Sequence, residues 1–433
     1  MSRFPKRPQL AFRPLKEQRS LQAALLRRHL AYCARSSPYY RRVFQTAGIR
    51  PGAIGLDDLA ALPFTDKADL AQHNDEFLAV PPDRVVDLAL SSGTTGKPNR
   101  MMYSERDLQR LAYNEELSFS ACAINARDTA LLTCTMDRCF IAGLAYYLGI
   151  RALGATAIRN GHGSLASHVE IIQTIKPTVV VGVPSFLRRL ALYAQEQGLA
   201  PRRSSVRKLV CIGEPVRGAD LRPLKLGRDL QKLWNADVFS TYASSECVTT
   251  FCECPARQGG HLHPDLAIIE VVDEAGRPVP PGQPGEVVLT PLAVEAMPLV
   301  RFKTGDISFL IEGACACGRR SPRLGPILGR KQQMLKLRGT TLYPPAVFAA
   351  LDEIPQVGEC YLELLPHAEL SDELVIHLGL RAPLPLPQLR EALQARLRVT
   401  PTIRVEPEEH IRQQIYTEAS RKPLRVIDRR AAT

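Results

Sequence analysis

The sequence predicts an α/β protein: a large N-terminal domain of mixed sheets flanked by helices, holding a β-rich subdomain, followed by a small α+β domain. Three observations predict this. Short apolar runs alternate with helical patterns through the first half, closely spaced strands take over after Trp234, and the texture changes again after Gly329-Arg330. The expected limits are 1–329 for the N-terminal domain, about 235–328 for its β-rich part, and 330–433 for the remainder.

Each element follows from local pattern. Residues 15–35 set Leu and Ala among Arg at helical spacing and predict a surface helix. Thr65 is expected to cap the helix that opens at Asp66-Lys67. Residues 85–90 predict a strand that runs directly into Ser91-Ser92-Gly93-Thr94-Thr95-Gly96-Lys97-Pro98. Further strands are expected at 130–134, 155–158, 178–183 and 208–212, with helices at 167–175 and 185–197. That alternation argues for a parallel or mixed sheet covered on both faces. Beyond Trp234, strands at 268–272 and 286–289 flank the turn Asp273-Glu274-Ala275-Gly276. The last hundred residues predict short strands at 335–337, 359–364 and 373–380, a proline-rich connection and a helix at 388–397.

Composition narrows the class. In 433 residues, 45% hydrophobic and 23% charged, there is enough apolar surface to exclude intrinsic disorder. The longest apolar run, 140–150, falls short of the roughly 20 residues that cross a bilayer, and MSRFPKRPQL lacks the apolar stretch of a signal peptide. A soluble, cytoplasmic protein with no membrane partner is expected. Residues 1–50 carry twelve Lys/Arg against Glu17 alone, which is +11 of the net +12. Such an arm can meet nucleic acid, phosphate or an acidic protein; the plainer reading is a solvated helical face. Aromatics are not interleaved with the basic run, so no nucleic-acid partner is expected. The eleven cysteines are an odd number without a secretion signal, which argues against a disulfide framework.

Ser91 to Lys97 packs hydroxyls, two glycines and a lysine behind a strand. Glycines let backbone N–H groups approach phosphate oxygens, and the hydroxyls and ammonium add donors and charge. It is not a P-loop: the position five before Gly96 is Ser91, and Pro98 follows the lysine. A different phosphate cradle is predicted.

Metal-binding residue types gather elsewhere. Cys252-Glu253-Cys254 precedes His261 and His263, and Cys315-Ala316-Cys317 follows some fifty residues on. Thiolates and imidazole in a tetrahedral set suit Zn²⁺, although C-x-C spacing is less specific than C-x₂-C.

The string Ser91–Pro98 resembles the phosphate-binding signature of adenylate-forming enzymes, and the chain is most similar to the phenylacetate–CoA ligase family. The likeness runs over nearly the whole length, through Ser37-Pro38-Tyr39-Tyr40-Arg41, Leu62-Pro63-Phe64-Thr65-Asp66-Lys67, Gly213-Glu214-Pro215, Tyr242-Ala243-Ser244-Ser245-Glu246 and Arg301-Phe302-Lys303-Thr304-Gly305-Asp306. It continues through Leu328-Gly329-Arg330, Arg338-Gly339, Tyr343-Pro344 and Lys422-Pro423-Leu424-Arg425-Val426-Ile427-Asp428.

The resemblance implies an acid–thiol ligase. It would adenylate a small aromatic or short-chain acid with ATP and Mg²⁺, then pass the acyl group to coenzyme A or to the phosphopantetheine of a carrier protein. A non-catalytic nucleotide- or nucleic-acid-binding protein is the reading from another class. Ser92, Thr94, Thr95 and Lys97, with Ser91, Gly93 and Gly96, would cradle the phosphates, and Glu246 would hold Mg²⁺. Gly213, Glu214 and Pro215 would form part of the base pocket, Tyr242 would stack on adenine, and Ser245 would also bind the nucleotide. Asp306 would accept the ribose hydroxyls and Arg330 would reach the ribose or α-phosphate. Lys422, preceded by Arg421 where the family usually has Gly, would be the adenylation lysine. The small domain would be mobile about a hinge within Arg330-Lys331-Gln332, where Gln332 replaces the usual Asp or Lys. Phe140, Ala142, Gly143, Gly213 and Ala243 would wall the acid pocket. The family's zinc spacing implies Cys254, His261, Cys315 and Cys317 as ligands, with Cys252 and His263 as substitutes. Similar enzymes are often dimers, so a homodimer is a possible assembly.

Overall fold

The computed structural model describes residues 4–91, 99–137, 139–337, 340–365, 372–399, 401–416 and 424–430. The chain divides into two compact units, Met1–Ile327 and Leu328–Thr433.

Helix α1 (Leu15–Ser36) is followed at once by α2 (Pro38–Thr46). Ser37 makes the break, its hydroxyl accepting from the Tyr40 N–H while Pro38 opens α2. The inner faces bury Leu26, Leu30, Cys33, Tyr40 and Phe44, and the arginines stay outside. Helix α3 (Lys67–Gln72) is capped by Asp66, not by Thr65 as the sequence suggested. One Asp66 carboxylate oxygen accepts from both Ala68 N (2.7 Å) and Asp69 N (3.0 Å), and Asp69 answers in a capping box. Thr65 is instead buried as an extended residue, bonded to Arg301 O and Lys303 N.

Strands β1 (Val85–Ser91) and β2 (Asn99–Ser104) form an antiparallel hairpin whose register closes on Ser91↔Asn99. The stretch Ser92–Pro98 joins them and lies outside the described residues. Helix α4 (Glu105–Ala121) follows, its start fixed by a Ser104/Asp107 capping box.

The main sheet has six strands: β3 (Thr129–Leu132), β4 (Thr156–Arg159), β5 (Val179–Gly182), β6 (Lys208–Cys211), β7 (Asp237–Ser244) and β8 (Thr249–Cys252), in the order β4-β3-β5-β6-β7-β8. The first five run parallel and β8 is antiparallel. Side chains alternate between two apolar layers. Leu131, Val180 and Leu209 face α7 (Pro184–Glu196) and α8 (Lys225–Trp234), while Ala130, Val181 and Val210 pack with the layer holding Phe119 and Tyr146 of α4 and α5 (Ile141–Ala152). Helix α6 (Leu165–Thr174) completes the first layer.

The β-rich segment begins later than the sequence texture implied. Strands β7 and β8 belong to the main sheet, because Asp237–Ser244 pairs in parallel with β6. Antiparallel pairing of a separate kind starts at β9 (Gly260–His261) and continues through β10 (Ala267–Val272), β11 (Gly285–Pro291), β12 (Phe302–Ser308), β13 (Leu310–Ile311) and β14 (Arg323–Leu324).

The second unit opens with β15 (Gly329–Arg330) and the hairpin β16 (Leu335–Leu337) and β17 (Thr340–Leu342). Helix α9 (Pro344–Asp352) leads to β18 (Val357–Leu365) and β19 (Glu373–Leu380), then α10 (Leu386–Leu397), β20 (Thr402–Val405), α11 (Glu408–Ile415) and β21 (Val426–Asp428). Its sheet order is β20-β19-β18-β21, and Leu335, Val347, Leu362, Ile376 and Leu389 form its own core. Among the described residues, no helix is long and apolar enough to cross a membrane.

Candidate functional site

Strands β5, β6 and β7 run the same way, so their carboxyl ends lie along one edge of the sheet. In open parallel sheets ligands bind in the crevice at that edge. Gly213, Glu214 and Pro215 follow β6 directly, and Tyr242 and Ala243 end β7 just before Ser245 and Glu246. Gly213 takes φ +73°, the turn that brings this loop back over the strand ends. The Glu214 carboxylate accepts from the Ser185 N–H and hydroxyl, both at 2.9 Å, and so ties the loop to the first turn of α7.

Tyr242 joins β7 to the β-rich segment. Its hydroxyl donates to Asp306 Oδ2 at 2.9 Å across 64 residues of sequence, and Asp306 sits on β12 directly after Gly305. Burial, reinforced by the Asp306 charge, pushes the phenol well above its ordinary pKa, so it stays a donor.

Glu246 is buried, with only 8% of its side chain exposed. Ser244 donates to its Oε2 at 3.1 Å, and Lys67 places its ammonium 3.5 Å from Oε1. The lysine is held from the other side, since Asn99 Nδ2 donates to Lys67 O at 3.3 Å. From β2, Tyr103 donates to Ser245 O at 3.3 Å. The base of the β1–β2 hairpin is thus tied to the carboxylate through Lys67. Sequence reasoning passed over this residue. The signal available was its place in Leu62–Lys67, at the first position of a capped helix.

The loop between β3 and α5 faces the hairpin as well, because Leu90 N donates to Cys139 O at 2.8 Å. Phe140 and Ala142 are half-buried at the start of α5, and Ala243 is exposed. Gly143 is accounted for by packing instead of an open wall: a β-carbon there would lie 2.0 Å from Thr135 O.

A second cluster lies away from these groups. Cys254, His261, Cys315 and Cys317 bring four ligand atoms within 4.8 Å of one another. Strand β9 carries His261 in register with Arg323 of β14, and the turn between β13 and β14 presents both Cys315 and Cys317. That turn is closed by Gly318 N donating to Cys315 O, with Gly318 at φ +89°. Cys254 and Cys315 sulfurs are 3.6 Å apart, and Cys317 Sγ is 3.4 Å from His261 Nε2. Burial pushes the Cys254 thiol up to about 12 and His261 down to about 3. For Cys317 burial also opposes ionisation, but the Arg319 N–H and guanidinium win and its pKa falls below the ordinary value. Cys252 and His263 stay outside the cluster: His263 Nε2 lies 3.0 Å from the Ser118 hydroxyl, and Cys252 is buried beside Cys122.

Residues 46–292 match the family model of the AMP-binding enzymes. A curated phenylacetate-coenzyme A ligase of Thermus thermophilus is 36% identical over 383 residues, covering 87% of this chain and 84% of that protein. The chain belongs to the phenylacetate–coenzyme A ligase family of AMP-binding enzymes. A second such ligase, from Pseudomonas putida, is 31% identical and covers 84% of this chain and 82% of that protein. The fold is matched by a crystal structure of 2-hydroxyisobutyryl-CoA ligase in the postadenylation state, at TM-score 0.84 and 23% identity, covering 98% of this chain and 92% of that one.

In this AMP-binding enzyme the residues expected to bind the nucleotide or act on it fall into three groups. Gly213, Glu214, Pro215, Tyr242, Ser245, Glu246 and Asp306 gather on the strand ends and β12. Arg330 opens the second unit as an exposed residue of β15. Ser92, Gly93, Thr94, Thr95, Gly96, Lys97 and Lys422 lie outside the described residues, as does the Ser91 side chain.

Proposed function

We propose that the chain is an ATP-dependent carboxylate–coenzyme A ligase. Its carboxylate substrate attacks the α-phosphorus of ATP, pyrophosphate leaves, and the acyl-adenylate then yields its acyl group to the thiol of coenzyme A. Attacking and attacked groups are both anionic, so the site has to supply positive charge and alignment before anything else. The family favours coenzyme A over a carrier's phosphopantetheine, and leaves the nucleic-acid reading without support. A small aromatic or short-chain acid is the substrate class.

The observation that supports this reading is the Tyr242–Asp306 hydrogen bond, with Glu246, the partner of Lys67, a few residues on from Tyr242 in the same motif. The hydrogen bond joins two motifs far apart in sequence. Asp306 would accept the vicinal ribose hydroxyls, since an ionised carboxylate is an acceptor with several lone pairs on two oxygens. Tyr242 would lay its ring on the adenine, while the Gly213–Pro215 backbone borders the base and Ser245 the phosphates. Ser91 to Lys97 would donate to the β- and γ-phosphates. Glu246 fits Mg²⁺, being an oxygen donor already poised opposite an ammonium. The bound ion would neutralise phosphate charge. Lys422 and Arg330 would approach from the second unit, whose reorientation about Arg330-Lys331-Gln332 would exchange the two half-reactions.

The cysteine–histidine cluster fits Zn²⁺. Zn–S bonds of about 2.3 Å in a tetrahedron place sulfurs about 3.8 Å apart, close to the 3.6 Å between Cys254 and Cys315. The ion would pin the β13–β14 turn to β9 and take no part in the chemistry.

Pyrophosphate exchange across a panel of acids, followed by thioester assays with coenzyme A and with a phosphopantetheinylated carrier, tests the proposal. Acid-dependent exchange with coenzyme A as acceptor is the expected result. ATP binding without exchange for any acid would overturn it.

A further inference from the structure

Arg430 lies near the end of the chain, far in sequence from the residues proposed to bind the nucleotide, and its guanidinium makes several polar contacts within the second unit. Its side chain is 18% exposed. Nη1 donates to Met334 O at 2.7 Å and lies 3.2 Å from Asp372 Oδ1. Nη2 donates to Gln332 O at 2.8 Å and to Asp428 Oδ2 at 2.7 Å, while Nε donates to Asp428 Oδ1 at 2.9 Å. Its own backbone N–H reaches Asp428 Oδ1 at 3.1 Å.

These partners come from three places. Gln332 ends the segment assigned above as the hinge, and Met334 lies two residues beyond it. Asp428 ends β21, the strand that follows the Lys422 segment and pairs with β18 at Glu363↔Ile427. Asp372 precedes β19 and exchanges two bonds with Lys336 on β16, accepting from its N–H at 2.7 Å and donating its own N–H to Lys336 O at 3.0 Å. Hydrogen bonds from the guanidinium hold the Asp428 carboxyl below its ordinary pKa, so it remains an anion through neutral pH.

We propose that Arg430 is a positioning residue that locks the end of the hinge segment and the chain just past it to β21, the strand that follows Lys422 in sequence, so that the small domain turns as one rigid body. The inference rests on the ligase reading and on Lys422 as the adenylation lysine. Two carbonyls and two carboxylates disposed around one plane require a fork of fixed N–H groups, which arginine has and lysine lacks. Without the lock, rotation at the hinge is dissipated in the Gln332–Met334 segment before it reaches β21. Both half-reactions depend on where the small domain comes to rest, so both slow down. Substrate affinity, which belongs to the first unit, does not change.

The test compares Arg430→Ala and Arg430→Lys with the parent and with Lys422→Ala in the full chain. Single-turnover pyrophosphate release reads adenylation, and coenzyme A thioester formation from preformed acyl-adenylate reads the second half. Arg430→Ala is expected to lower both rates about tenfold with KM for ATP held within about twofold, and Arg430→Lys to restore little of the loss. Parental rates in both halves, a rise in KM without a fall in rate, or a loss confined to one half would each overturn the lock. If Arg430→Ala does not fold, Asp372→Asn decides, because it removes one anchor and leaves the others. A fall of about threefold in both halves supports the lock, and parental rates overturn it. Lys422→Ala separates the two layers of argument. If it leaves adenylation intact, the assignment of that lysine fails whatever Arg430 does.

Discussion

A carboxylate with 8% of its side chain exposed needs a partner, and Glu246 has two: the Ser244 hydroxyl and the Lys67 ammonium. Glu246→Gln keeps the shape and removes the charge. Adenylation should fall about 10²–10³-fold, with half-maximal activity moved to higher Mg²⁺ concentration, read by pyrophosphate exchange across a Mg²⁺ titration. A loss that no amount of Mg²⁺ alters would place Glu246 outside the metal site. Lys67→Ala should shift the titration the opposite way, to lower Mg²⁺, because the ammonium competes with the ion for the carboxylate. Another acid lies deeper. Glu115 is wholly buried on α4, bonded to Thr250 and Asn114 through one oxygen, and burial raises its pKa to about 7. The unfolded chain ionises this group near 4.5, whereas the folded chain keeps its proton until about 7. The unfolded state therefore binds fewer protons in between, so this group makes stability decline from about pH 4.5 to 7 and stay low above that. Glu115→Gln should flatten the decline in urea melts run across that window, gaining about 1–3 kcal/mol at pH 8 over its own value at pH 5 relative to the parent. An unaltered profile would mean that Glu115 is not the group responsible.

Elements show what the sequence could and could not disclose. The positions of β19 and α7 follow from runs such as Glu373–Leu380 and Pro184–Glu196, where apolar periodicity is local and unambiguous. The partner of a strand is not local. Asp237–Ser244 has the look of any short strand, and only its parallel pairing with β6 assigns it to the main sheet and moves the β-rich boundary toward Gly260. The cap of α3 shows the same limit at closer range, since Thr65 and Asp66 are both good caps and the pairing of Thr65 beside Phe302 decides between them. Lys67 was hidden because a lysine opening a helix reads as surface charge until the fold sets Glu246 against it. The cysteine cluster lies between these cases. Spacing left six candidates, and the β9–β14–β13 sheet with the closed turn at Gly318 brings four together. Because two buried thiols, a third half-buried one and a buried imidazole are gathered within 4.8 Å of one another, metal should carry real folding free energy here. Cys317→Ser is expected to lower the zinc content from about one per chain and the melting temperature by about 5 °C or more, and prolonged chelation of the parent should do the same. Zinc-free protein with undiminished thermal stability would remove the metal from the account.

At the scale of the molecule, the division after Ile327 places the residues proposed to bind the nucleotide in one unit and the proposed adenylation lysine in the other. Each unit buries its own core, so a change near the carboxyl end can alter catalysis without loosening the sheet that presents Tyr242 and Glu246. That independence makes Lys422 the decisive position. In sequence the lysine falls between α11 and β21, and the second unit's core is built from other residues. In its proposed role the ammonium would be needed only while two anions are forced together, and the later transfer from acyl-adenylate to thiol would involve no such encounter. Lys422→Ala should therefore reduce pyrophosphate exchange about 10²–10³-fold and leave thioester formation from preformed acyl-adenylate within about twofold of the parent. Thermal unfolding of the first unit should be unmoved, which distinguishes lost charge from lost structure. Equal reductions in the two half-reactions would mean that the lysine serves the small domain as a whole, and the charge drawing carboxylate and α-phosphate together would have to come from Lys97 and Lys67.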